Sequence, residues 1–412
     1  MKILYVCHRF PYPPQRGGKI RPFNMIRHLS ASGHEVHVAS IARSAEEALA
    51  GRGLEKFCAS TTMGRVRNIT QNLRMAARLF ARTPSSMGYF YSRELDQGVR
   101  DLMRKHTFDL IFVHCSSVAQ YVCEARGIPK ILDFGDMDSQ KWKIYSKFKP
   151  WPLSTGYWLE GAKLEREERR LAKLFDLCTC TTKAELATLN SFHTGTETDW
   201  FPNGVDHQYF KPEADSFDSN RISFIGRMDY YPNQECMIRF CQEVLPLIRS
   251  AIPTVQLDII GAEPTPEIKR LEQHAGVRVT GSVPDVRPFV RKSAAMVAPL
   301  QIARGTQNKI LEAMAMGVPV VSSDVAADGI DAIPDEHFLV ARNAQEYSDK
   351  LIALMADPDR RQHYAVAGRA RMLSHHDWSG SLRRLDTIIE RCVAKFSGQA
   401  PVHQHASTAS KP

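Results

Sequence analysis

Short, almost unbroken apolar runs recur along the chain, each followed by a stretch in which apolar residues return every three or four positions. In the first half the runs fall at 2–8 (KILYVCH), 35–41 (EVHVASI), 109–115 (DLIFVHC), 129–134 (PKILDF) and 177–182 (LCTCTT). In the second half they fall at 221–226 (RISFIG), 255–261 (VQLDIIG), 277–281 (VRVTG), 295–300 (AMVAPL) and 318–322 (VPVVS). Runs this apolar fit strands buried on both faces, and their alternation with helices predicts parallel sheets covered on both sides. Two such sets predict an α/β chain of two Rossmann-like domains. The break falls at 201–220 (FPNGVDHQYFKPEADSFDSN), rich in Pro, Asn, Gly and Asp and weak in periodicity. Residues 397–412 (SGQAPVHQHASTASKP) predict a disordered tail. In open α/β sheets ligands bind beyond the carboxyl ends of the strands, so functional residues are expected in the loops that follow them.

The length, 412 residues, suits two domains. A formal charge of +9 and a pI of about 9.1 point to an acidic partner: a phosphorylated substrate, an anionic membrane or nucleic acid. Nucleic acid lacks any supporting motif. No apolar run approaches the ~18 residues that span a bilayer. The start, MKILYVCHRF, reads as a first strand rather than a signal peptide, which predicts a cytoplasmic protein. Nine cysteines without a C-x-x-C pair fit reduced thiols, with Cys178 and Cys180 as packing residues.

Candidate chemistry concentrates in RGTQNKILEAMAMGVPVV, residues 304–321. Gly305 permits close backbone approach, and the first amides of the helix that follows have no intrahelical partners. Gly305, Thr306, Gln307 and Asn308 therefore form a candidate anion site reinforced by the helix dipole. Ile310, Leu311, Met314 and Ala315 make the packing face, leaving Asn308 and Glu312 together on another. Glu312 is placed either to accept hydrogen bonds from ribose hydroxyls or to pair on the surface with Lys309. Gly17 and Gly18, in PYPPQRGGKIRPFNMI, follow the first strand but lack the G-x-G-x-x-G spacing of a dinucleotide site. Asp136-Met137-Asp138 matches the metal-binding D-x-D tripeptide, which is common by chance; helix capping is the competing role for either aspartate. His114, at a strand end, is a candidate substrate contact or a core-edge histidine, and Glu185 reads as ordinary helix surface. Residues 56–93 contain Arg65, Arg67, Arg74, Arg78, Arg82 and Arg93 and no acid. Their amphipathic part, residues 64–82, is a candidate for peripheral contact with anionic lipid, against a solvated basic helix.

NKILEAMAMGVPVV closely resembles the C-terminal signature of glycosyltransferase family 4, which has the GT-B fold of two facing Rossmann-like domains. The resemblance covers essentially the whole chain to about residue 396. It implies domains at 1–203 (acceptor side) and 204–378 (nucleotide-sugar side), with residues 379–396 as a helix crossing back to the first. It implies that Glu312 holds the donor ribose. It implies that Arg227, in SFIGRMDYYPN after Gly226, clamps the donor diphosphate. The loop GSVPDVRPFV, with Val283, is similar to the family loop that meets the nucleotide base, and Gly17-Gly18 to the glycine loop beside the donor phosphates. Two departures stand out. The first glutamate of the family E-x(7)-E pattern is Arg304 here, and Tyr230-Tyr231-Pro232-Asn233 stands where a lysine is usual, leaving Arg304 and Lys309 as substitute cations. The N-domain histidine of many members is replaced by Gly135-Asp136, so Asp136 joins the catalytic candidates and Asp133 and Asp138 become candidate acceptor or sugar contacts.

The resemblance implies a retaining glycosyltransferase that needs neither metal nor cofactor and uses a nucleotide-diphosphate sugar and a saccharide or lipid-linked acceptor. The subgroup it most resembles serves bacterial PEP-CTERM/exosortase exopolysaccharide systems. A GT-B phosphorylase or epimerase, or a non-catalytic partner subunit, would share the architecture.

Overall fold

Among the residues that the computed structural model describes (1–14, 17–66, 75, 81–213 and 217–398), thirteen strands form two wholly parallel sheets. The first contains β1 (Lys2–Cys7), β2 (Glu35–Ala42), β3 (Ser60–Arg65), β4 (Leu110–His114), β5 (Lys130–Gly135), β6 (Leu177–Cys180) and β7 (Glu197–Trp200), in the order β3-β2-β1-β4-β5-β6-β7. The second contains β8 (Asp218–Ile225), β9 (Gln256–Ile260), β10 (Val277–Gly281), β11 (Ser293–Ala298), β12 (Val320–Ser322) and β13 (Leu339–Val340), in the order β10-β9-β8-β11-β12-β13. Each sheet starts in its middle, runs to one edge and then crosses to the other side of its first strand. The strand order thus reverses between β1 and β4 and between β8 and β11, where such sheets open a ligand crevice. Three strands, β3, β7 and β13, escape the apolar-run pattern.

Alternation along β1 shows how the N-domain is built. Leu4 and Val6 join one buried cluster, while Ile3, Tyr5 and Cys7 join another on the opposite face of the sheet. The second cluster is completed by the helix Trp378–Phe396, through Leu382, Leu385, Ile388, Ile389 and Cys392. The last helix therefore belongs physically to the first domain. Arg384 and Arg391 secure it, each 2.7 Å from Asp199.

The chain crosses between domains twice, and the two crossings are bound to each other. Val205 forms a parallel bridge with Asp377 and donates its N–H to the carbonyl of His376 at 2.8 Å. His376 Nδ1 lies 3.0 Å from the Asn203 carbonyl, and Ser381 Oγ donates to the Pro202 carbonyl. A Cβ on Gly204 would come within 2.6 Å of the Trp378 ring, so only glycine lets the crossings pack this closely.

Candidate active site

The carboxyl ends of the two sheets face each other across a cleft closed by direct contacts. Asn203 Nδ2 donates to Asn308 Oδ1 at 3.3 Å, Tyr145 Oη to Tyr230 Oη at 3.0 Å, and Lys183 Nζ to Asp331 Oδ1 at 3.0 Å. A Cβ on Gly17 would lie 3.8 Å from Asn308 Nδ2, so the Gly17-Gly18 loop sits opposite the start of the helix Asn308–Ala315.

That helix is held by Ile310, Leu311, Met314 and Ala315, all buried, with Ala313 buried beside them. Gln307 occupies its N-cap without capping a helix amide; its side chain instead donates to the Arg304 carbonyl at 3.2 Å. The preceding turn passes through Gly305 at φ +62°, and a Cβ there would fall 1.7 Å from Asp136 Oδ1. Asp136 thus presses on the glycine from the N-domain while accepting from Thr181 Oγ1 at 2.9 Å. Thr306 Oγ1 is buried with no partner, a hydroxyl waiting for one.

Lys309 donates to Asn233 Oδ1 at 2.7 Å and rests 4.2 Å from the Phe224 ring centroid, so it does not pair with Glu312. Its ammonium also lies where a Cβ on Gly226 would come within 3.1 Å. Burial pushes its pKa down to about 8, against the opposing pull of Cys236 and Glu312. Burial likewise pushes Glu312 up to about 7, with Lys309 opposing. Arg227, one residue after Gly226, is a third exposed and already engaged. Its Nε and Nη2 donate to Asp229 at 3.0 and 2.7 Å, and Nη2 also donates to Glu263. Val283 follows β10 and packs, half-buried, on the C-domain core.

Several sequence expectations need correction. Asp133 is fully buried and touches no cleft: Arg21 grips it through Nε and Nη2 at 2.9 and 3.2 Å, with His114 Nδ1 at 2.8 Å and Thr179 Oγ1 at 3.0 Å. Burial alone would raise its pKa, but Arg21 and then His114 hold it well below the usual carboxylate range. Asp133 is therefore the centre of an internal hydrogen-bonded network, which His114 joins through Nδ1. Arg21 also donates to the Phe201 carbonyl and Asn203 Oδ1, both at 3.1 Å, tying the first helix to the interdomain linker. Neither Asp136 nor Asp138 caps the helix Asp138–Ser146; Met137 holds that position. Asp138 is raised by burial and its carboxylate lies 3.9 Å from Cys115 Sγ.

Glu185 is not helix surface. It is 1% exposed, accepts the Met137 N–H at 2.9 Å, and is pushed up to about 7 by burial and then Asp136, with Arg304 opposing. Arg304 is its partner, with Nε 2.8 Å from Oε1 and Nη2 donating to Oε2 at 3.0 Å. Thr188 Oγ1 accepts from Arg304 at 3.2 Å. Arg304 is therefore committed across the cleft, whereas the Lys309 ammonium lies beside Gly226. The sequence carried no local signal for Arg21 or for the Glu185 partnership, since both pairings join residues more than a hundred positions apart.

Two family models match the chain: one described as Glycosyltransferase Family 4 over residues 16–209, the other as Glycosyl transferases group 1 over residues 219–357. Between them they take in every strand but β1, the start of β8 lying one residue outside, together with the facing loops. The chain belongs to the GT-B glycosyltransferases. Among relatives, an uncharacterized 44.6 kDa protein in the cps region of Klebsiella pneumoniae is 20% identical over 375 residues, 85% of this chain and 90% of that one. The phosphatidyl-myo-inositol mannosyltransferase of Mycobacterium leprae is 27% identical over 216 residues, 49% of this chain and 56% of that one. Among solved structures, sucrose-phosphate synthase of Thermosynechococcus elongatus has the same fold, with a TM-score of 0.72 at 14% identity over 96% of this chain and 100% of the other. HepE of Anabaena, solved in complex with UDP, gives 0.66 at 15% identity over 94% and 99%. Among the described residues of this GT-B glycosyltransferase, no helix is long and apolar enough to cross a membrane. Of the basic segment 64–82, residues 67–74 and 76–80 lie outside the described residues.

Proposed function

We propose that this glycosyltransferase moves a sugar from a nucleotide-diphosphate donor to a saccharide or lipid-linked acceptor, with retention at the anomeric carbon and without a divalent ion. One observation carries the reading. The Lys309 ammonium lies beside Gly226, next to Arg227, and the Gly305-Thr306 turn with its unpartnered hydroxyl leads into the helix that carries Lys309. Two cations and a helix start on neighbouring loops suit a pyrophosphate, and Glu312, one turn further along, suits the adjoining ribose. The HepE structures with UDP and with UDP-glucose support a donor of this kind, and the mannosyltransferase relative supports sugar transfer to a lipid headgroup. The Klebsiella relative, from a cps region, supports a place in cell-surface or exopolysaccharide synthesis.

In this reading the bond from the anomeric carbon to the diphosphate breaks as the acceptor hydroxyl attacks from the same face. A diphosphate oxygen takes the acceptor proton. The protein's work is to neutralise the departing diphosphate with Arg227, Lys309 and the Gly305-Thr306 amides, and to exclude water by closing the cleft. Thermal shift against a panel of nucleotide sugars is the test: one donor should raise the melting midpoint, by ~2.7 kcal/mol of stabilisation at a hundred times its Kd. No shift with any nucleotide sugar would overturn the reading in favour of a non-catalytic subunit. Loss of transfer in EDTA would overturn metal independence.

A further inference from the structure

Residues 139–159 (SQKWKIYSKFKPWPLSTGYWL), which run from the helix Asp138–Ser146 into the helix Leu153–Ala172, hold four lysines and no acid. Where the two helices meet, large apolar side chains stand in water: Trp151 is 82% exposed, Leu153 and Trp158 56% each, and Leu159 41%. Trp151 is the most exposed large hydrophobic among the described residues. Single exposed apolar residues need no explanation, but four within nine positions, beside the exposed Lys147, form a patch of the kind that marks an interaction surface.

We infer that residues 147–159 seat on an anionic phospholipid bilayer, with Trp151, Leu153 and Trp158 at the headgroup–acyl boundary and Lys147 against the lipid phosphates. Tryptophan favours that boundary because its ring is apolar and its N–H stays wet, while lysine stems lie along the apolar layer with their charges outward. A second copy of this chain fits less well, because a two-fold contact would set the exposed Lys147 of each copy against the same patch of the other. The patch also lies at the mouth of the cleft. Tyr231 Oη donates to the Phe148 carbonyl at 3.4 Å, the Lys149 ammonium lies 3.5 Å from the Tyr231 ring centroid, and Tyr145 meets Tyr230. Those tyrosines follow Arg227 by only a few residues, so a bilayer seated here faces the opening through which a lipid-linked acceptor would enter. That consequence rests on the proposed acceptor; the seating itself does not.

Co-sedimentation of the full chain with vesicles, in the absence of donor and acceptor, is the test. Vesicles of phosphatidylglycerol and phosphatidylcholine at 3:7 should bind the protein, pure phosphatidylcholine much less, and salt should weaken binding. Tryptophan emission should shift to the blue on binding. The W151S/W158S variant, which keeps the arginines of 64–82 intact, should lose on the order of tenfold or more in vesicle affinity while keeping the wild-type melting midpoint and nucleotide-sugar shift. Undiminished vesicle binding by that variant would overturn the inference. So would absence of binding by the wild type, or a concentration-dependent dimer that W151S dissolves.

Discussion

Arg304 of the C-domain grips Glu185 of the N-domain, with Nε 2.8 Å from Oε1 and Nη2 3.0 Å from Oε2. A guanidinium stands where the family pattern has a carboxylate, and the acid that balances it comes from a helix 119 positions earlier. The change of sign at 304 therefore adds no free cation to the cleft. Removing the guanidinium leaves Glu185 facing Asp136 without a counter-charge, so Arg304→Gln should lower the melting midpoint and push the Glu185 pKa further up. Arg304→Glu should cost more, since it would place a carboxylate beside both Glu185 and Asp136. The exchanged pair Glu185→Arg with Arg304→Glu should recover part of the loss; a gain of activity in Arg304→Glu alone would contradict the clasp.

Gly305 has no room for a side chain. Gly305→Ala meets both the left-handed backbone, which costs about 1–2 kcal/mol for an L-residue, and the Asp136 carboxylate, 1.7 Å from the new Cβ. Transfer should fall steeply as the two loops are forced apart. Adding Asp136→Ala should recover stability without recovering the donor-site geometry.

Arg227 is shared with Asp229 and Glu263, so its loss removes a cation and exposes two acids at once. Arg227→Ala should lower kcat on the order of 10²–10³-fold. Arg227→Lys should fall between, keeping the charge but not the fork. Unchanged turnover in the alanine variant would remove Arg227 from the donor site.

Nucleotide affinity should follow a bell-shaped pH profile. Glu312, near 7, accepts ribose hydroxyls best when ionised, so affinity should rise as pH passes through its pKa. Lys309, near 8, attracts the diphosphate only while protonated, so affinity should fall above that point. Glu312→Gln should weaken binding and abolish the rising limb, measured by calorimetry with UDP or the preferred nucleotide between pH 6 and 9.

Glu168 gives a stability prediction far from catalysis. It is fully buried, accepts the Ser139 N–H at 3.0 Å through Oε1, has no partner for Oε2, and is pushed up to about 8 by burial. The folded protein therefore binds a proton that the unfolded chain has released above pH 4.5. Its contribution is present below that value and is lost as pH rises through 8. Glu168→Gln should match the wild type near pH 4 and exceed it above pH 8 by on the order of a few kcal/mol.

Ten of the thirteen strands were legible because a strand inside a doubly covered parallel sheet must be apolar on both faces. The three that were not have physical reasons. Glu197–Trp200 (ETDW) and Ser60–Arg65 (STTMGR) are edge strands carrying polar residues, and Leu339–Val340 is too short to form a run. The grouping of Gly305, Lys309 and Glu312 was legible because they lie within one turn and one helix. The hydrogen-bonded network of Arg21, Asp133 and His114 was not, because strand order rather than spacing brings it together. His114 and Asp133 are partners on neighbouring strands, and the sequence pattern gives no hint of that register.

The paired crossings at Gly204 and Trp378 leave the molecule with something close to a single hinge pin. Two backbones fastened side by side resist twisting and sliding far more than one loose linker would, so the lobes are left mainly to swing open and shut. Any opening about that pin would have to release and remake the same contacts, among them Arg304 with Glu185 and Lys183 with Asp331.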